Sequence, residues 1–285
     1  VYTAQALPWQ PMDLPPLVND HCQSFGFYSA IAAELPAAKW RGANLYGSAD
    51  DLAWSLVRAR SNESIVGKAT SVLAGGPVGD WDRGQTVNVE MQEGELASVT
   101  ETEVLNGSNW MLLGDEIVGF ATATLTGTAG DGSKQYTLSN LVRGLRDTTD
   151  GIATHATNEG AVMLTTTSVD FNASSYTLLG TARKLRAVPA GATVESQTSK
   201  MLTLSGRTLR PFAPCGIAAT RDVSNNLDVT WQRRSRAITR LFQAAPALDD
   251  QRVYDVVVKL AGTPVRTERV TDEAWSYSAG DQSTD

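Results

Sequence analysis

The sequence has few of the residues that build disulfide scaffolds or metal centres. Its 285 residues include two cysteines, Cys22 and Cys215, and two histidines, His21 and His155. A disulfide scaffold needs more cysteines, and a zinc site needs about four ligands, mostly Cys and His. One disulfide between Cys22 and Cys215 is an alternative, but we expect two buried thiols. Although His21 and Cys22 are adjacent, we predict no metal site.

The chain also lacks excess positive charge and long apolar runs. Its net charge is −7, and proteins bind nucleic acid largely through Lys and Arg that neutralise phosphates. No apolar run approaches the roughly 18–20 residues of a membrane span. The N-terminus has neither the basic region nor the apolar region of a signal peptide. We therefore expect no specific nucleic-acid binding and no stable membrane insertion. Because the sequence begins without Met, we expect it to be a fragment or a processed piece.

Alternating apolar and polar residues predict many β-strands. Val87, Val89 and Met91 alternate with Asn88 and Glu90, which is the two-residue period of a half-buried strand. Residues 117–125 and 136–141 flank a glycine-rich turn and predict a hairpin. The sequence therefore predicts an all-β fold, with further strands expected over residues 25–31, 40–46, 54–60, 176–179, 202–204, 217–221, 227–231, 254–260, 265–270 and 275–277.

Proline positions divide the chain. Prolines in residues 1–20 exclude a helix interior and predict an extended arm. Residues 21–208 form a β-rich region, in which we expect residues 80–165 to be a β domain inserted between pairing partners. Pro211 and Pro214 flank a hinge at the start of residues 209–285. This last segment resembles a fibronectin type III sandwich, because its first strand follows proline and Trp231 ends its second strand. Such sandwiches have about seven strands, so we expect an incomplete domain and a polypeptide that continues past Asp285.

Three motifs could carry chemistry, and each also has a structural interpretation. Residues 127–134 have the spacing of a phosphate-binding loop, but a strand follows instead of the required helix, so we predict a hairpin turn. Asp80 and Asp82 could act in glycoside hydrolysis, yet two acids in a glycine-rich loop are more typical of a turn. His155 has no recognisable triad partners nearby in the sequence, which favours a structural role.

Two groups of charged residues leave alternatives open. A loop calcium ion is one alternative for the acids at predicted turns, which are Asp131, Asp147, Asp150 and Glu159. Arg233, Arg234, Arg236 and Arg240 form a basic cluster that is more typical of a solvated face or an intersubunit patch than of a nucleic-acid site. The sequence therefore predicts no catalytic, cofactor-binding or metal-binding residues. We expect a protein that is not an enzyme and has no cofactor.

Several short sequence motifs, called phrases below, are shared with one protein family. The most specific are Leu-Val-Arg-Gly-Leu-Arg-Asp-Thr at residues 141–148 and Trp-Gln-Arg-Arg at residues 231–234; weaker ones lie at residues 25–28, 40–46, 104–109, 114–117, 136–140 and 209–211. In this order they resemble the C-terminal region of the tail-tip hub ("host specificity", baseplate hub) protein of gene transfer agents and long-tailed, siphovirus-type phages. Leu145 and Asp147 stand where family members usually have Arg and Gly.

The resemblance implies a structural, non-enzymatic role in a virion. The chain would be a hub at the tail tip that caps the tail tube, anchors fibres and takes part in host attachment and DNA delivery. It would contain hub-type β-barrel or β-sandwich domains, form a homotrimer and assemble in the bacterial host cytoplasm. Its partners would be other tail-tip, baseplate and tail-tube proteins, the tail fibres and the host cell surface. DNA would pass transiently, without specific binding.

Two other functions stay open at this point. The first is a carbohydrate-binding or adhesion module of a bacterial surface protein, in which exposed tryptophans stack on sugars; the candidates are Trp9, Trp40, Trp54, Trp81, Trp110 and Trp275. Most of these tryptophans could equally fill β cores. The second is a hydrolase that uses Asp80, Asp82 or Glu90. Two or three coplanar, solvent-facing tryptophans would favour the first alternative.

Overall fold

Strands dominate the computed structural model, which describes residues 8–33, 40–237 and 252–285. About 44% of the chain is strand and 11% is helix, so the all-β prediction is confirmed. The chain divides into two compact units, with the first ending at Arg210 and the second beginning at Pro211. In the described residues, no helix has the length and apolar character needed to cross a lipid bilayer.

Unit 1 contains fourteen strands in its described residues. They are β1 (Trp9–Met12), β2 (Gly26–Ile31), β3 (Ala43–Ser48), β4 (Ser55–Arg60), β5 (Val66–Ala69), β6 (Trp81–Asp82), β7 (Val87–Met91), β8 (Trp110–Leu113), β9 (Glu116–Thr128), β10 (Lys134–Val142), β11 (Gly160–Met163), β12 (Asp170–Ala173), β13 (Ala182–Pro189) and β14 (Lys200–Thr203). One short helix, α1 (Glu101–Leu105), and 3-10 turns at Asn19–His21, Leu145–Asp147, Thr149–Ala153, Tyr176–Leu178 and Val194–Ser196 connect them.

Six of these strands close into a barrel. Their order is β10, β7, β5, β11, β8 and β9, and β9 pairs back with β10. The predicted hairpin of residues 117–125 and 136–141 is confirmed as β9 and β10. Val89, Met91, Met111, Phe120 and Leu138 belong to one fully buried cluster. Their burial explains the two-residue period of the sequence, since alternate side chains of a strand point to opposite faces.

Two smaller sheets join strands from before and after the barrel. In the first, β2 lies between β1 and β12; in the second, the order is β14, β13, β3 and β4. In chain order, the barrel strands therefore lie between β4 and β12. Strands before this segment pair with strands after it, β2 with β12 and β3 with β13. This intervening segment starts at Val66, not at residue 80, because β5 pairs with both β7 and β11.

Two predictions about local structure need correction. Residues 8–16 are extended, but they do not form a separate arm, because β1 pairs with β2 and the side chains of Trp9, Met12 and Leu14 are buried. Residues 1–7 of the predicted arm lie outside the described residues. The strand predicted at 176–179 is instead the 3-10 turn Tyr176–Leu178, which begins where the Ser175 hydroxyl accepts a hydrogen bond from the Thr177 amide.

The described part of unit 2 contains two small sheets and a short helix. Strands β15 (Cys215–Arg221), β16 (Leu227–Gln232) and β19 (Ala274–Tyr277) form one sheet, and β17 (Tyr254–Leu260) pairs with β18 (Thr263–Val270). The buried ring of Trp231 meets the ring of Tyr254 at 5.2 Å between centroids, which joins the two sheets. Arg266 on β18 holds Asp281 of helix α2 (Ala279–Thr284) at 2.7 Å. The fibronectin type III assignment stays a prediction.

The two cysteines have different environments. Both are free thiols; Cys22 is buried and Cys215 is exposed. The expectation of two buried thiols was therefore wrong for Cys215. The physical reason is its position on β15, which pairs only with β16 among the described strands and whose residues are all exposed.

Candidate functional site

Five charged side chains from distant parts of the barrel region meet in its interior. Asp82 lies on β6, Glu116 begins β9, Arg143 follows β10, His155 lies between the 3-10 turn Thr149–Ala153 and β11, and Glu159 precedes β11. Their side chains are between 0% and 11% exposed to solvent. We call this group the buried charge network. Such a cluster needs explanation, because an ion buried without a partner is strongly unfavourable.

Arg143 is the cation at the centre of the network. Its Nη2 donates to Glu116 Oε2 at 2.8 Å and its Nε donates to Oε1 at 3.0 Å, which is the two-point geometry that best suits a guanidinium and a carboxylate. Its Nη1 donates to Asp82 Oδ2 at 3.2 Å and to the Ala74 carbonyl at 2.9 Å. The arginine therefore ties the end of β10 to the start of β9 and to β6.

His155 is the second cation. Its Nε2 lies 2.6 Å from Glu116 Oε2 and its Nδ1 lies 2.7 Å from Glu159 Oε1. Burial alone would lower the pKa of His155, but the hydrogen bonds and charges of Glu116 and Glu159 outweigh it and raise the pKa to about 9. At neutral pH both ring nitrogens are therefore protonated donors. The ring has no lone pair to accept a proton, so it does not have the form of a general base.

Glu116 is saturated with hydrogen-bond donors. Besides Arg143 and His155, the Gly144 amide donates to its Oε1 at 2.6 Å. Burial would raise the pKa of Glu116, but these hydrogen bonds outweigh burial and hold its pKa below the ordinary value. Both oxygens of this carboxylate are occupied. The geometry therefore supports a role in holding the fold together instead of a role in catalysis.

The most specific phrase of the sequence, residues 141–148, builds this part of the barrel. Arg143 enters the network, Gly144 takes a left-handed conformation with φ of 61°, and the Thr148 hydroxyl accepts a hydrogen bond from the Ile117 amide at 2.8 Å. Asp147 also has a positive φ, of 65°. That conformation favours glycine but is tolerated by aspartate, so Asp147 is compatible with a position at which the usual phrase has glycine.

Two of the acidic residues considered from the sequence, Asp82 and Asp131, stabilise local turns. Asp82 Oδ1 accepts hydrogen bonds from the Gly84 amide at 3.2 Å and the Gln85 amide at 3.0 Å, as the turn interpretation predicted. Asp131 makes the corresponding turn contacts to Ser133 in the hairpin of residues 127–134, and strand β10 follows. Within the described ranges, no group of three or more His, Cys, Asp or Glu side chains could hold a metal ion.

Sequence reasoning missed the partners of His155. Glu159 lies four residues away, and this spacing was a signal that could have been used. Glu116 lies 39 residues from His155 and 27 residues from Arg143. No sequence spacing identifies such a group, because it forms only when β8 and β9 pair and the barrel closes.

The tryptophans do not form the exposed platform that the carbohydrate alternative required. All seven lie in the described residues, and each is buried or half-buried. Trp110 donates its Nε1 to the Val104 carbonyl at 2.9 Å, and Trp275 donates its Nε1 to Glu268 at 2.8 Å. Arg186 lies over the ring of Trp54 at 4.2 Å. These side chains pack and bond within the protein.

The basic cluster is less exposed than the sequence predicted. Arg236 is buried, with 8% of its surface exposed, and Arg233 and Arg234 are half-buried. Arg234 lies over the ring of Phe212 at 5.4 Å, so part of the cluster packs within unit 2 and is not a solvated face. Arg240 lies outside the described residues.

Comparison with known families identifies a similarity in the barrel region. Residues 64–163 match a family described as "Rcc01698-like, C-terminal". The match covers about one third of the chain. It includes every barrel strand and every residue of the buried charge network. The family name is related to gene transfer agents, which is consistent with a phage-like structural role in a virion-like particle. No curated protein matches the chain.

Proposed function

We propose that this chain is a structural component of the tail tip of a phage-like particle. It would be a hub that caps the tail tube, anchors fibres and takes part in host attachment and DNA delivery. The observation that carries this proposal is the family match over residues 64–163, which coincides with the closed barrel. The resemblance of residues 141–148 and 231–234 to tail-tip hub proteins supports the finer assignment.

The chemistry of the barrel supports a structural role. Arg143 and His155 are held by carboxylates, and both oxygens of Glu116 accept hydrogen bonds. A protein that works through its surfaces needs a rigid frame instead of reactive groups. We propose a homotrimer that contacts other tail-tip and tail-tube proteins and the fibres, through obligate interfaces that typically bury about 2,000–5,000 Å².

The negative net charge of the chain supports the proposed role in DNA passage. Each chain carries a net charge of −7. Three copies around an axis would repel DNA phosphates, because like charges repel. DNA would then pass without adhering to the wall. In an assembled trimer, acidic side chains found only on the outer surface would contradict this part of the proposal.

Antibody labelling of intact particles tests the proposed location. Serum raised against this chain would be applied to purified particles and imaged by electron microscopy, with pre-immune serum and particles from a deletion strain as controls. We expect label at the distal end of the tail. Label on the capsid, or unlabelled particles with the protein free in the medium, would refute the tail-tip assignment.

A further inference from the structure

A second feature of unit 1 plays no part in the buried charge network. It is a cleft of about 870 Å³ bordered by the 3-10 turn Asn19–His21, strands β2, β4 and β12, residues 106–110 and residues 164–166. Sites for small molecules typically have volumes of about 300–1,000 Å³. The cleft is therefore large enough for a ligand of several rings.

Aromatic rings in fixed orientations line this cleft. The rings of His21 and Phe171 stack, with centroids 4.1 Å apart and planes 21° from parallel. The half-buried ring of Trp110 is held by the hydrogen bond from its Nε1 to the Val104 carbonyl. Because these rings are held by the protein, a ligand that packs against them orders few additional side chains.

His21 supplies a directional donor to the cleft. Its Nδ1 lies 2.8 Å from the Tyr28 hydroxyl, which also accepts a hydrogen bond from the Leu17 amide. Burial raises the pKa of Tyr28, so its hydroxyl keeps its proton and donates to Nδ1. Burial lowers the pKa of His21 by more than Asp20 raises it, which favours the neutral form of the ring. The proton therefore lies on Nε2, which bonds to no other described residue.

Arg58 supplies a second donor. Its Nε donates to Asn172 Oδ1 at 3.2 Å and its Nη2 donates to the Phe171 carbonyl at 2.6 Å. Arg58 lines the cleft, and its Nη1 makes no bond within the described residues. The other ionised side chain of the lining, Asp170, is paired with Arg60. The cleft therefore offers neutral donors together with the positive charge of Arg58.

We propose that this cleft binds a short oligosaccharide. A sugar ring has an apolar C–H face that packs on an aromatic ring, and hydroxyl groups that bond to directional donors. Part of the remaining lining is apolar, and part is polar and uncharged, from Ser108, Asn109, Thr165 and Thr166; such polar groups both donate and accept hydrogen bonds. A purely apolar ligand would leave these groups without partners. The proposal goes beyond the tail-tip role and does not depend on it.

The test uses the whole chain and a bacterial glycan array. The array would carry neutral, N-acetylated and acidic oligosaccharides, and the strongest of them would be measured again by calorimetry. Thr166→Arg fills the cleft and Arg58→Ala removes its second donor. Thr167→Arg is the matched control, because Thr166 and Thr167 are adjacent and exposed but only Thr166 lines the cleft. Circular dichroism would verify that each variant is folded.

The outcomes distinguish ligand binding at this cleft from general effects of the substitutions on the protein. We expect at least one oligosaccharide to bind, with affinity reduced about tenfold or more in Thr166→Arg and Arg58→Ala and changed less than about twofold in Thr167→Arg. An array without bound glycan would overturn the proposal. Unchanged affinity in Thr166→Arg, or equal losses in the two threonine variants, would overturn it as well.

Discussion

The stability of the barrel region should fall at alkaline pH as His155 loses its proton. The folded-state pKa of His155 is raised from 6.5 to about 9 by Glu116 and Glu159. A raised folded pKa means that the stabilisation is complete below about 6.5 and is lost as the pH rises through about 9. The difference of about 2.5 pKa units corresponds to about 3 kcal/mol.

Urea unfolding at pH values of about 6.5, 8 and 10 measures this loss. Hydrogen exchange in peptides from β8 and β9 assigns the transition to the barrel. With a slope near 3 kcal/mol per molar urea, the midpoint should fall by about 1 M across this range. His155→Gln cannot hold the proton, so it should be less stable by about 3 kcal/mol at the lowest pH and nearly equal to the wild type at the highest.

His21→Gln is the matched control for this experiment. Burial lowers the pKa of His21, the opposite direction to His155, so its replacement should leave the alkaline loss intact. If the wild type and His155→Gln lose stability in parallel between pH values of about 6.5 and 10, the assignment of a buried imidazolium is wrong. Subtracting the variant's curve removes the contribution of other groups that titrate in this range.

Three further substitutions test the fold. Arg143→Met leaves the buried Asp82 without its cation and Glu116 with His155 alone, and should cost about 3–5 kcal/mol in urea unfolding; a loss below about 1 kcal/mol would contradict the network. Gly67→Ala places a Cβ in steric overlap with the Glu90 carbonyl, so barrel amides should lose exchange protection, whereas an unchanged exchange pattern would argue against the β5–β7 register. Trp231→Ala removes a buried ring packed on Tyr254 and should cost unit 2 about 3–5 kcal/mol; an unchanged melting curve would count against this packing.

Local patterns in the sequence determined the fold class and most strand positions. Val87, Val89 and Met91 alternate with polar residues because one face of β7 lies in the barrel core. Residues 127–134 predicted a turn because glycine and aspartate satisfy the backbone there without distant partners. These signals span only a few residues, so they can be recognised without knowing which strands pair.

The tertiary structure alone decided the closure of the barrel, the charge network and the cleft. Glu116 and His155 are 39 residues apart, and only the register of β8, β9 and β11 brings them to 2.6 Å. Arg58 meets Phe171 across 113 residues for the same reason. Pairing between distant strands depends on the whole set of contacts, whereas a residue's strand preference depends on its neighbours. The sequence therefore indicated what kind of fold forms, and the folded chain determined which charged and aromatic groups meet.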